Sequence, residues 1–177
     1  MNPLKLNSNV SSRNPLALAR GGCQYVVVRK DSVETKTIQN ISSALISNFK
    51  KSDYEKLIKT FSAALNTFGY DEHEAFKSEH YCRDIIYYTL TLSGINAQRE
   101  VISAKGRADL VVELSDKRYV FEFKLARTKG SENLLLDEAL EQSCDKSYGE
   151  IIPIKELIRV GVVISAEDKA VSLWKII

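Results

Sequence analysis

Arg107-Ala108-Asp109-Leu110-Val111-Val112-Glu113-Leu114 and Arg118-Tyr119-Val120-Phe121-Glu122-Phe123-Lys124-Leu125-Ala126 decide how this chain is read. Both runs alternate with a period of two and read as strands, joined by the short turn Ser115-Asp116-Lys117. Successive side chains of a strand point to opposite faces. In the second run Tyr119, Phe121, Phe123 and Leu125 therefore share an apolar face, and Val120, Glu122 and Lys124 share the other. A carboxylate and an ammonium thus lie side by side, two residues apart, on a strand expected in mid-sheet. Charges in such a place are costly unless they are paired or bind an ion. Asp109 interrupts an apolar run in the first strand, and a hairpin brings it towards Glu122.

Working outward, 95–102 forms a strand before this pair, and the helical spacing of Tyr81, Ile85, Tyr88 and Leu92 predicts a helix over 72–93, closed by Gly94. Downstream, 132–148 reads as a helix with Leu135, Leu136, Ala139 and Leu140 on its buried side. Residues 158–165 are nearly all apolar, as expected of a strand covered on both faces, and 170–176 close the sheet. Helix, three strands, helix and two strands make an α/β arrangement with a mixed sheet flanked by helices. Upstream, 38–50 (Ile38, Ile41, Leu45, Ile46, Phe49) and 53–68 predict an antiparallel helical pair, with Asp53 as N-cap and Gly69 as stop. Residues 24–30 and 33–37 read as a small hairpin. The expected organisation is a flexible segment over 1–22, a hairpin and helical extension over 23–70, and the main domain over 71–177.

Composition narrows the function. The chain has 177 residues, 44% of them apolar, enough for a sizeable core. Lys and Arg number 25 against 23 Asp and Glu, a net charge of +2, so charge alone does not argue for nucleic-acid binding and any basic surface must be local. Cys23, Cys82 and Cys144 are too scattered for a zinc site or a disulfide framework; Cys82 and Cys144 read as fillers of small apolar positions. No apolar run reaches the length of a membrane span and no secretory signal pattern opens the chain, so the expected location is the cytoplasm, with specialised delivery into another cell left open.

Two carboxylates in one site repel unless positive charge lies between them. Lys124 supplies part of that charge, and a divalent cation can supply more; oxygen-only ligation suits Mg²⁺, with Mn²⁺ as substitute. Such a site can hydrolyse phosphodiesters, with a lysine orienting the attacking water or stabilising charge on the phosphate. The alternative reading is a buried ion network that carries out no reaction.

Gly106-Arg107-Ala108-Asp109 followed by Glu122-Phe123-Lys124 resembles the signature of the PD-(D/E)XK phosphodiesterases, with Ala108 in place of the motif's proline. The likeness extends over 76–177 and is nearest to the nuclease-like domain that follows AAA-like ATPase domains in bacterial proteins; no GxxxxGK(S/T) loop of an ATPase is present here. The resemblance implies a restriction-endonuclease-like core, with Asp109, Glu122 and the Phe123 carbonyl as metal ligands and Lys124 serving the water. Glu79 matches the family's helical acid and lies on one helical line with Cys82 and Ile86; Glu100 is the second candidate. Gln142 and Tyr148 match polar residues after the third strand. Gln142 would hold a phosphate or an active-site carboxylate, and Tyr148 would face nucleic acid. Arg107, Arg127 and Lys129 are candidate phosphate contacts, and Arg107 could instead pair with Glu113 or another acid. His80 neighbours Glu79 without metal-ligand spacing, and His73 reads as solvated.

The function so implied is a metal-dependent nuclease acting on DNA, or on RNA. A catalytically inactive nucleic-acid-binding or interaction module, and a delivered nuclease toxin with an inhibitor partner, stay open beside it. So do a homodimer and an ATPase partner.

Overall fold

The computed structural model describes residues 35–68, 78–103, 106–145 and 155–177. Two helices, α1 (Thr35–Lys51) and α2 (Tyr54–Phe68), precede α3 (Glu79–Leu92). Strands β1 (Ala97–Ser103), β2 (Gly106–Glu113) and β3 (Lys117–Ala126) follow, then α4 (Glu132–Asp145), β4 (Glu156–Ser165) and β5 (Ala170–Ile176). The strands form one sheet in the order β1-β2-β3-β4-β5. β3 and β4 run parallel and the other neighbours antiparallel, so α4 is the crossover that a parallel pair requires. This is the mixed α/β sheet the strand pattern implies.

The two faces are divided as the alternation in β3 dictates. Tyr119, Phe121, Phe123 and Leu125 join Leu45, Phe49, Leu57, Phe61, Leu65, Ile85, Ile86 and Leu90 in the main core, beneath α1, α2 and α3. Phe121 stacks between Tyr119 and Phe123, and Phe61 meets Phe121 edge-on at 5.6 Å. Burying each such side chain contributes roughly 1.5–3 kcal/mol, so this face ties the helical pair to the sheet. The opposite face carries Glu122 and is covered by α4. Gly161, opposite Glu122 in the β3–β4 ladder, has no side chain, and this lets Leu136 and Leu140 of α4 approach the sheet closely.

The α1–α2 turn is short. Asp53 caps α2, its Oδ1 accepting a 3.2 Å hydrogen bond from the Lys56 N–H. Lys56 and Lys59 form exposed ion pairs with Asp53 and Glu55.

Four expectations need correction. Thr35, Lys36 and Thr37 belong to α1 and not to a strand over 33–37; the amphipathic stripe from Ile38 onward carries the helix back one turn, overriding the β-preference of the threonines. Ile46 is exposed, and Asn48 is buried in its stead, its Nδ2 donating to Thr60 Oγ1 of α2. Leu92 is also exposed, because the buried line of α3 runs through Cys82, Ile85, Ile86, Thr89 and Leu90. Cys144 is exposed, whereas Cys82 is buried and its thiol is pushed up to about 12 by that burial, with the Glu79 charge adding to it.

The expected segment 1–22, the hairpin residues 24–34, Cys23, Gly69, His73, and the residues 72–77 and 146–148 over which helix was expected, Tyr148 among them, lie outside the described residues.

Candidate active site

Pairing between β2 and β3 runs from Glu113↔Arg118 to Leu110↔Phe121 and stops before Asp109. There the two strands part. The Phe123 N–H donates a 2.9 Å hydrogen bond to the Asp109 carboxylate. The side chain thus takes the place of a ladder partner and is fixed against the middle of β3. Asp109 meets the Phe123 backbone, one residue from Glu122. Glu122 itself is 2% exposed, on the α4 face of a central strand. Lys124, one alternation further, is half-buried, and its Nζ donates a 2.9 Å hydrogen bond to Gln142 Oε1 on α4. Gln142 therefore holds the ammonium, where the resemblance implied a phosphate or a carboxylate as its partner.

Glu79 opens α3 and is half-buried. Burial raises its pKa above the ordinary 4.5; Lys124 opposes the shift, Asp109 adds to it, and a hydrogen bond from the Leu125 backbone opposes it. Glu79 thus lies within electrostatic range of Asp109 and Lys124. Glu100 meets the same Arg83 guanidinium that lies near Asp109. It stands in the left-handed region at φ 54° on the edge strand, with Oε1 3.1 Å from Arg83 and Oε2 3.6 Å from Arg107. Burial raises its pKa, but the two arginines outweigh it and hold the carboxyl below its ordinary value.

Arg107 pairs with Glu100 and not Glu113, which is engaged by Arg118 and Lys155 at 3.0 Å each. Arg127 is exposed directly after β3. Lys129, also exposed, pairs with Glu167 on the β4–β5 turn at 3.2 Å, so it is drawn to that turn. His80 is exposed at the start of α3.

The residue that sequence reasoning missed is Arg83, 4% exposed on α3 one turn beyond Glu79. Its guanidinium bonds Asp84 and Glu100 and lies 4.0 Å from the Asp109 carboxylate. The available signal was the four-residue spacing from Glu79, which puts both on one helical line.

Among the described residues, no three His, Cys, Asp or Glu side chains are gathered into a metal-holding group. The donor set nevertheless fits a hard divalent cation. Asp109, Glu122, Glu79 and the Phe123 carbonyl offer only oxygen, the donor chemistry that such a cation takes. No helix among the described residues is long and apolar enough to cross a membrane.

The family model described as PD-(D/E)XK nuclease superfamily matches residues 77–174, the stretch from the start of α3 into β5. No curated protein matches the chain. The chain belongs to the PD-(D/E)XK nuclease superfamily.

Proposed function

With that membership as premise, we propose that the chain is a metal-dependent nuclease hydrolysing phosphodiester bonds in DNA, with its site built on Asp109, Glu122 and Lys124. The observation that carries the reading is the middle of β3. A buried carboxylate and a lysine held by Gln142 stand beside an aspartate that is fixed by the strand's own backbone. A strand core gains nothing in stability from such charges, so their presence argues for chemistry.

Asp109, Glu122 and the Phe123 carbonyl would hold Mg²⁺ or Mn²⁺, with Glu79 as a further ligand. Bound there, the cation supplies charge to a phosphoryl oxygen and acidity to water. The chain's own residues do the rest. The Lys124 ammonium, steadied by Gln142, orients the attacking water and stabilises the charge that develops on the phosphate. Arg107 and Arg127, exposed at the start of β2 and just after β3, contact the phosphate backbone on approach.

The test is cleavage of plasmid and single-stranded DNA with Mg²⁺, Mn²⁺ or EDTA, for the wild type, Asp109→Ala and Lys124→Ala. Metal-dependent cleavage lost in both variants is the expected result. A folded wild type that cleaves nothing with either metal would overturn the reading in favour of a binding module on the same fold.

A further inference from the structure

Arg83 is buried and cationic, and the proposed chemistry gives it no task. Nη2 and Nε lie 3.0 and 3.2 Å from Asp84 Oδ1, and Nη1 lies 3.1 Å from Glu100 Oε1. Both acids are shared outward. Asp84 Oδ2 binds Arg99 at 2.8 Å, and Glu100 Oε2 faces Arg107 at 3.6 Å. The third carboxylate within reach of Arg83 is Asp109, whose Oδ1 is 4.0 Å from Nη1. That distance is long for a hydrogen bond but short for a charge acting across a partly buried site. The cost accepted to place Glu100 points the same way. A non-glycine residue in the left-handed region is strained, and here that residue's carboxylate meets Arg83.

We propose that Arg83 is the built-in countercharge of the acidic site, and that its positive field on Asp109 limits how tightly the site takes a divalent cation. Arg83 is then a positioning residue for charge, not a catalytic one. This deepens the nuclease reading and rests on it. Asp109 is anchored separately by the Phe123 N–H, so loss of Arg83 changes the field at its carboxylate more than its place. Without the guanidinium, Asp84, Glu100 and Asp109 keep their negative charge with one cation fewer to balance it. A divalent cation is then drawn in more strongly.

The experiment is calorimetric titration of Mn²⁺ into the wild type, Arg83→Gln and Arg83→Lys, each checked by circular dichroism. Arg83→Gln is expected to bind Mn²⁺ about tenfold more tightly, the scale of one unit charge acting across such a site. Arg83→Lys, which keeps the charge, is expected to bind Mn²⁺ as tightly as the wild type does. A merely structural role would weaken binding in both variants. If Arg83→Gln does not fold, Arg107→Gln decides: at a half-exposed position it frees Glu100 to neutralise Arg83, and about twofold tighter Mn²⁺ is expected. Unchanged or weaker Mn²⁺ affinity in the deciding variant overturns the countercharge and leaves the nuclease reading standing. No Mn²⁺ binding by any of the proteins, wild type included, overturns the metal site itself and this proposal with it.

Discussion

Replacing Gly161 tests whether α4 is held at the distance the site needs. A Cβ at this position would lie 3.0 Å from Leu140 Cδ2 and 3.2 Å from both Leu140 Cγ and Leu136 Cδ1. Carbon atoms sit comfortably at about 3.5–4.0 Å, so even alanine pushes the two leucines back by roughly half an ångström, and valine adds two further methyl groups to the same gap. Overpacking of this kind costs about 1–3 kcal/mol. Removing glycine's freedom in the unfolded chain returns about 0.4–1 kcal/mol. Gly161→Val should therefore lose about 2 kcal/mol in urea unfolding, and Gly161→Ala much less. Leu140 makes two of these three close contacts, so Leu140→Ala should cost at least about 1 kcal/mol less in the Gly161→Val background than in the wild type. Activity should fall as well. Gln142 lies two residues beyond Leu140 on α4, and retreat of the helix lengthens the 2.9 Å bond that steadies Lys124. Wild-type stability in Gly161→Val, or strictly additive costs for the two changes, would refute the close approach of α4 to β4.

The remaining predictions concern the charged groups. Lys124→Met should lower the cleavage rate by about a hundredfold or more while leaving the circular dichroism spectrum unchanged, and Gln142→Leu should lower it by about tenfold, since it frees the ammonium without removing it. Equal losses in the two variants would argue that Gln142 does more than steady the lysine. Glu79 gives a pH signature in EDTA. Burial raises its folded pKa, with Asp109 adding and Lys124 opposing, so the folded protein keeps a proton that the unfolded chain has released. Stability from this group therefore declines as pH rises from the unfolded value near 4.5 through the folded one. Glu79→Gln should be more stable than wild type in chemical denaturation at pH 7, with the advantage disappearing below about pH 4; an advantage that is independent of pH would count against a titrating Glu79.

The strand-borne part of the site was legible because a strand's period is short and strict. Once Tyr119, Phe121 and Phe123 are assigned to the core, Glu122 and Lys124 have only one face left, and the structure buries Glu122 on it. Helices give weaker guidance, since a 100° step lets neighbouring lines of residues share an apolar stripe. The line through Tyr81, Ile85, Tyr88 and Leu92 was one such reading of α3, and Leu92 proves exposed while Leu90 is buried. Arg83 was lost for the same reason. On a helical wheel it belongs with Glu79, but an arginine in a helix ordinarily marks the wet side. Its charge is met in part by Glu100, seventeen residues ahead, whose left-handed backbone conformation no side-chain pattern announces. The end of pairing at Asp109 is hidden in the same way. Alternation predicts an uninterrupted hairpin, whereas the Phe123 N–H takes the Asp109 carboxylate as its acceptor, which lets β2 diverge and still leaves the aspartate anchored. One acidic group of the candidate site stands on the paired strand, and another where the strands separate. The first leaves a mark in the sequence, and the second exists only once the sheet has formed.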